Sequence, residues 1–427
     1  MNKKKITELK SNRKKSSNDS ILKFLSIFQL NNDGAQSQKT VCDEVEINGR
    51  KIPRFTNEFW TSGQRKGNSL HEISYRACFK PQLPGFFINH FSEPGDIIYD
   101  PFSGRGTTAI EAALLNRNVI ANDVNPLSAM LAKPRLEIPE VNEIKNRLNE
   151  INFDPKARAD LDLKMFYHQD TEAEIVSLKK YLAERKKNKK EDFIDRWIRM
   201  IATNRLTGHS KNFFSVYTLP PNQAVTAEKQ KKINELRNQK PGYKNTKEII
   251  IKKSKDLLKD VNDEIRNRLK IISSESQFLI SDSSNTRIKN NVVQLTITSP
   301  PFLDVVQYAQ DNWLRCWFND IDVKMIERKI TMSKKLENWL EVMSAVFSDL
   351  YRITRKNGWI AFEVGEVRNG KIKLDEAIIP VGIDAGFECV GIIVNQQKFT
   401  KTANIWGIKN NSKGTNTNRI VLFQKKK

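Results

Sequence analysis

Asp100-Pro101-Phe102-Ser103-Gly104-Arg105-Gly106-Thr107-Thr108 follows the short apolar run Ile97-Ile98-Tyr99 and opens a stretch of small and apolar residues that reaches Asn116. A continuously apolar run of this kind is how a buried parallel strand reads. Glycines at 104 and 106 remove side chains where the backbone bends tightly and approaches a ligand. Ala109, Ile110, Ala112, Ala113, Leu114 and Leu115 then predict a helix over 107–116, small enough on its surface to lie close to a sheet. Val119-Ile120-Ala121 predicts a second strand, with Asn122 and Asp123 at its carboxyl end. Strand, helix and strand at this spacing make one βαβ unit, whose ligand edge is the carboxyl end of the strands.

Working outward, Glu93-Pro94-Gly95-Asp96 reads as a turn. Upstream of it, Leu83, Phe86, Phe87, Ile88 and Phe91 recur near helical spacing and predict a helix over the segment His71 to Phe91. From about 136 to 275 the chain turns lysine-rich and helical, and strand signals nearly vanish. They resume at Phe278–Ile280, Val292–Ile297, Trp359–Val364 and Val390–Val394, with a helix-like stretch Trp339–Tyr351 among them. An α/β sheet interrupted by a mostly helical insertion is therefore expected. The expected divisions are a basic flexible arm at 1–45, a first half of the sheet domain at 46–135, the insertion at 136–275 and a second half at 276–427. The start of the arm is rich in lysine, serine and asparagine, a composition that buries too little apolar surface to offset the entropy of ordering.

Composition narrows the partners. The 427 residues carry 72 Lys plus Arg against 50 Asp plus Glu, a formal net charge of +22, and 38% hydrophobic residues, enough for a substantial core. Such an excess favours a polyanion, because neutralising phosphates releases condensed counterions, although lysine also serves solubility. Four cysteines, Cys42, Cys78, Cys316 and Cys389, show no CxxC spacing, so neither a zinc ribbon nor a redox pair is indicated and reduced, packed thiols are expected. No run approaches the roughly 18 apolar residues of a membrane helix. Lys3-Lys4-Lys5 is not followed by the apolar core of a signal peptide, so a cytoplasmic protein without a membrane partner is expected.

The glycine turn admits several ligands. A nicotinamide or flavin site fits Gly-x-Gly-x-x-Ala, as does an ordinary strand-to-helix turn, whereas the GxxxxGK[ST] phosphate loop is absent. Asp123, seventeen residues after Gly106, stands where a carboxylate accepts hydrogen bonds from ribose hydroxyls. Far downstream, Thr298-Ser299-Pro300-Pro301-Phe302 ends a second apolar run. Its residue types suit chemistry at an amino group on an aromatic ring. The lone pair of such a nitrogen is delocalised into the ring, so attack requires acceptors that hold its hydrogens and favour a pyramidal geometry. Ser299 and the Pro300 carbonyl supply acceptors, the two prolines fix the backbone, and Phe302 offers a flat face for an extruded base. A Pro-Pro loop that merely closes a strand is the alternative.

Taken together, the two turns resemble those of the amino-directed DNA methyltransferases, the adenine-N6 and cytosine-N4 enzymes. The family's cofactor motif Asp-Pro-Phe-x-Gly-x-Gly-Thr-Thr is matched by Asp100 to Thr108, and its catalytic motif, an Asp, Asn or Ser followed by Pro-Pro and an aromatic, by Ser299 to Phe302. The resemblance covers roughly 70–135 and 277–395. It implies a Rossmann-like fold using S-adenosyl-L-methionine (AdoMet), with Asp100, Phe102, Gly104, Gly106 and Thr107 lining its pocket, Asp123 holding the ribose and Asp282 near the adenine amino group. It also implies that Ser299, Pro300, Pro301 and Phe302 are catalytic, that no metal is needed, and that the segment His71 to Phe91 covers the methionine end of the cofactor. Two features depart from the family pattern: the cofactor motif precedes the catalytic one, and Phe302 stands where Tyr is more usual.

Serine at the first catalytic position is typical of the cytosine-N4 enzymes, so the resemblance implies transfer to N4 of a flipped cytosine in double-stranded DNA, within a restriction-modification system of prokaryotic or phage type. A cognate restriction endonuclease is then a candidate partner. Adenine-N6 transfer is the nearest alternative, followed by an RNA amino-methyltransferase or a non-catalytic DNA-binding specificity subunit. Cytosine-C5 chemistry needs a thiolate nucleophile, and no cysteine here follows a proline in the expected turn. Within the insertion, Asn204 to Tyr217 mixes groups that hydrogen-bond base edges with aromatics that stack, a target-recognition candidate that also reads as a helix end with core aromatics. Lys398 to Arg419 reads as a long hairpin loop.

Overall fold

Alternation of short apolar runs with amphipathic stretches produces a Rossmann-like α/β fold. The computed structural model describes residues 18–29, 39–61, 67–75, 78–218, 224–301, 311–329, 335–364, 366–367, 372–396 and 417–427. In chain order the strands are β1 (Val41–Ile47), β2 (Arg50–Asn57), β3 (Ile97–Asp100), β4 (Asn118–Asn122), β5 (Gln277–Leu279), β6 (Val293–Thr298), β7 (Thr354–Val364), β8 (Glu366–Val367), β9 (Ile372–Lys373), β10 (Glu388–Gln396) and β11 (Thr417–Gln424). The chain divides into two compact units, one of residues 1–62, 287–300 and 335–427, the other of 63–286 and 301–334.

In the first unit, strands pair in the order β1, β2, β10, β11, β7, β6. The β6–β7 and β2–β10 pairs are parallel and the others antiparallel. Every residue of β6 is buried, as a strand covered on both faces requires. Helix Leu336–Ile353 buries Trp339, Met343, Val346, Phe347, Leu350 and Ile353, one stripe at helical spacing. Phe347 of that stripe packs against Phe362, Phe387 and Phe423, and each such burial contributes about 1.5–3 kcal/mol. The β1–β2 hairpin turns at Asn48-Gly49, both with positive φ (49° and 74°), the type I′ geometry whose twist matches its strands.

In the second unit β3, β4 and β5 run parallel, with helix Thr107–Leu114 joining the first two. Helices Val141–Glu150, Gln169–Lys187, Phe193–Arg205, Thr246–Leu258 and Asp263–Glu275 fill the interval before β5 and belong to this same unit. Their ends follow from local chemistry: Asp192 and Asp195 form a reciprocal capping box, and Asn245 and Asn262 cap the next two. Arg147 and Arg185 both bind Asp195, which is buried, and so pin three of these helices together.

Three expectations need correction. The stretch read as a flexible arm, 1–45, contains helix Asn18–Ser26 and most of β1, because Leu25 is buried and Phe28 packs on Phe59. The helix expected over 71–91 begins only at Gln82. Ahead of it, a short 3-10 turn at Ser69–His71 gives way to irregular chain whose carbonyls are taken by arginine side chains. Finally, the thiols are not uniformly packed: Cys316 is buried, Cys78 and Cys389 are intermediate, and Cys42 is exposed.

Candidate active site

The turn after β3 takes its shape from two left-handed glycines, Gly104 at φ 52° and Gly106 at φ 78°. They differ in what they tolerate. A Cβ at Gly106 would stand 2.5 Å from Cβ of Ala132, so this glycine is required by packing as well as by φ. At Gly104 a Cβ would make ordinary contacts with Cys78 and Tyr75, at 3.7 and 3.8 Å, so only the backbone conformation demands glycine there. Asp100, Ser103, Arg105, Gly106, Thr107 and Thr108 are buried, whereas Phe102, Gly104 and Asp123 keep accessible surface. The expected cofactor residues thus separate into partly accessible ones (Phe102, Gly104, Asp123) and buried ones (Asp100, Gly106, Thr107). Asp100 Oδ1 accepts the Phe102 N–H at 3.1 Å, and Thr107 Oγ1 accepts from Arg105 Nε at 3.1 Å.

Asp123 is tied directly to this turn. Its carboxylate accepts the N–H of Gly104 at 2.9 Å through Oδ2 and that of Asn125 at 2.9 Å through Oδ1. One edge stays accessible while protein surrounds the rest. Burial pushes its pKa up to about 6, against the pull of the two backbone hydrogen bonds. Each oxygen retains a lone pair for an external hydroxyl. Next to it the strand ends are laced together: Asn122 binds Ser281 and Ser283, and the Ser283 hydroxyl donates to the Pro101 carbonyl at 2.7 Å. Asp282 follows β5 and is exposed, with Oδ1 accepting from the amide and hydroxyl of Ser284. It shapes its own turn.

Ser299 and Pro300 belong to the other unit and follow β6 directly. Pro300 is buried, while Ser299 and Pro301 keep partial exposure. Phe302 lies outside the described residues. The register that pairs Thr298 of β6 with Phe362 of β7 sets the next residue of each strand, Ser299 and Glu363, side by side. Glu363 is buried, and burial raises its pKa, while hydrogen bonds from the Ser299 hydroxyl and from Asn418 pull it back down. Asn418 Nδ2 donates to Glu363 Oε1 at 3.0 Å. With its only proton directed to Glu363, Ser299 Oγ presents lone pairs alone to anything else that approaches.

Sequence reading missed Glu363 and Asn418. Both were visible only as polar residues on strands, and a carboxylate at the end of an apolar run, Ile360 to Val364, was the available signal. The stretch Asn204 to Tyr217 follows the second of its two readings at Phe213 and Phe214. Phe213 and Phe214 are buried, and Arg205 stacks on Phe213 with its guanidinium 3.9 Å from the ring centroid. The bridge between Gly208 and Tyr217 closes a loop whose exposed residues are His209, Ser210 and Lys211. Phe213 and Phe214 are therefore core, and the polar tip faces outward. Residues 398–416 of the expected hairpin loop lie outside the described residues, though β10 and β11 on its flanks do pair antiparallel.

A family model described as DNA methylase matches residues 2–133, and another described as RMKL-like, methyltransferase domain, matches residues 86–195. The Type II methyltransferase M.BsoBI of Geobacillus stearothermophilus is 24% identical over 335 residues, 70% of this chain and 61% of that protein. The Type II methyltransferase M.MjaII of Methanocaldococcus jannaschii is 32% identical over 88 residues, 20% of this chain and 17% of that protein. The orphan methyltransferase M.BamHII of Bacillus amyloliquefaciens is 37% identical over 78 residues, 18% of this chain and 29% of that protein. The matched stretches span less than two thirds of each relative's own length.

Proposed function

We propose, for a chain that belongs to the amino-directed DNA methyltransferase family, transfer of a methyl group from AdoMet to the N4 amino group of a cytosine flipped out of double-stranded DNA. The observation that carries transfer to an exocyclic amino group is the hydrogen bond from the Ser299 hydroxyl to Glu363, and the serine at this position, as in the cytosine-N4 enzymes, favours cytosine over adenine. An oxygen that can only accept selects a partner that can only donate, which describes an exocyclic amino group and rejects a ring carbonyl.

The second unit fits the cofactor on its own geometry: a left-handed glycine turn ahead of a helix amino terminus, and a carboxylate with spare lone pairs held against that turn. Phe102 and Gly104 would flank AdoMet and Asp123 would take its ribose hydroxyls. Bound there, AdoMet supplies an electrophilic methyl. The amino nitrogen would take that methyl and give up a proton, which the residues of this chain must hold. Ser299 Oγ and the Pro300 carbonyl hold the two amino hydrogens, and Glu363, biased by burial toward accepting a proton, draws one away through Ser299. Pro301 stiffens the turn, and Phe302 would offer the base a flat face.

Supporting the DNA substrate are the relatives' names as Type II and orphan methyltransferases and the net charge of +22. A cognate restriction endonuclease is the partner such relatives suggest. The test is incubation with AdoMet and mixed-sequence duplex DNA, followed by mass spectrometry of the nucleosides. N4-methylcytosine is expected. N6-methyladenine would reassign the base, and absence of both products overturns the reading.

A further inference from the structure

Among the described residues between Leu70 and Phe79, four carbonyl oxygens accept hydrogen bonds from side chains elsewhere in the chain. Arg135 donates to Leu70 O at 3.0 Å, Arg105 to Ile73 O at 2.8 Å and to Phe79 O at 3.4 Å. Ser74 receives the densest grip. Asn204 Nδ2 donates to its carbonyl at 2.9 Å, Asn204 Oδ1 accepts its N–H at 3.4 Å, and Arg315 donates to the same carbonyl at 3.2 Å. Asn204 thus meets Ser74 as a neighbouring strand would, with one donor and one acceptor. Asn204, Arg105, Arg135 and Arg315 are all buried.

What this anchoring holds in place is the other side of the glycine turn. Tyr75 and Cys78, within the anchored segment, are the side chains nearest to where a Cβ would stand on Gly104. Arg315 also lies 5.7 Å from the Tyr75 ring centroid. Asn204 sits at the end of helix Phe193–Arg205, about a hundred residues after the glycine turn in sequence and deep in the stretch that reads as an insertion. It does not line the turn itself. Its two bonds fix Ser74, and Ser74 fixes the position of Tyr75.

We infer that Asn204, assisted by Arg315, is a positioning residue for the cofactor: the helix Phe193–Arg205 sets the wall opposite Gly104, so the inserted helices complete the AdoMet site. This rests on the AdoMet reading above. A segment held by five carbonyl-directed bonds has no side-chain sequence signature of its own, and its affinity contribution depends on the geometry of Ser74. Without Asn204 the segment keeps its arginine contacts and loses its two-point alignment.

The test is calorimetric titration of the full chain with AdoMet, alongside Asn204→Ala and the isosteric Asn204→Asp, which keeps an acceptor for the Ser74 N–H and removes the donor to its carbonyl. AdoMet dissociation constants are expected to rise about tenfold for Asn204→Ala and less for Asn204→Asp, the scale of losing one or two buried hydrogen bonds. Turnover at saturating AdoMet should stay within about twofold, since no group at the reacting atoms is altered. Unchanged affinity in the folded Asn204→Asp variant overturns the inference even if Asn204→Ala fails to fold, and so does a fall in saturated turnover without a change in affinity. Failure of the unaltered chain to bind AdoMet would overturn the cofactor reading and this inference with it. Binding by the unaltered chain and equal binding by the variants would overturn this inference alone.

Discussion

The glycine turn and the double-proline turn are built on opposite plans. Around the first, Asp100, Phe102, Gly104, Gly106, Thr107 and Asp123 come from one strand-helix-strand stretch, and Gly104 and Asp123 bond to each other across it. Around the second, Ser299 depends on Glu363 and Asn418, supplied by two other strands, β7 and β11. Local chain shapes the glycine turn because φ angles and helix termini are local properties. Control of a single hydroxyl proton requires a carboxylate at hydrogen-bond distance, and a parallel register supplies it from whatever lies next door in the sheet.

The largest expected effect is at the double-proline turn. Ser299→Ala should lower kcat about 10³-fold, the scale of losing one preorganised hydrogen-bonding group, and Glu363→Gln about 10²-fold. AdoMet affinity should be unchanged in both by calorimetry, and a parallel loss of affinity would break the separation between the two regions. Because burial raises the pKa of Glu363, and an ionised carboxylate is what accepts the Ser299 proton, activity should rise with pH through a limb that Glu363→Gln abolishes.

At the glycine turn the effects move to binding. Asp123→Ala should raise the AdoMet dissociation constant by roughly 10- to 100-fold, the range for hydrogen bonds to a charged group. Its carboxyl pKa is raised to about 6, so the sign is fixed: protonation at lower pH removes acceptors for the ribose hydroxyls, and affinity falls as pH drops through about 6 and is full above it. Asp123→Asn should flatten that dependence in titrations between about pH 5 and about pH 8. The smallest effect is on stability. Gly106→Ala, at φ 78° and against Ala132, should cost about 1–3 kcal/mol in denaturant unfolding, and Gly104→Ala, which meets only ordinary contacts, should cost less. Equal losses would mean that packing against Ala132 does not distinguish the two glycines.

The same contrast explains what was legible beforehand. β3, helix Thr107–Leu114 and β4 were readable to within a residue or two because apolar runs and glycines act over a few positions. The Asn48-Gly49 hairpin was equally local and was overlooked, although the dipeptide is a strong turn signal. The failure at 71–81 has a different cause: the apolar residues that suggested a helix all lie at 83–91, inside the helix that forms, while ahead of it the carbonyls of Leu70 and Ile73 go to the side chains of Arg135 and Arg105. Phe213 and Phe214 had two open readings, stacking surface or core, and proved to be core, since side-chain type does not reveal which face is covered.

By itself the amino-acid sequence determined the α/β alternation, the glycine turn, the acidic residue at the end of β4 and the Ser-Pro-Pro turn, all set by backbone restrictions and short-range periodicity. Only the tertiary structure decided that Ser299 gives its proton to Glu363, and that Asn204 fixes Ser74 beside the glycine turn. Both are pairings between residues some sixty or more than a hundred positions apart. Which distant groups become neighbours is set by strand register and helix packing, and these are properties of the assembled core.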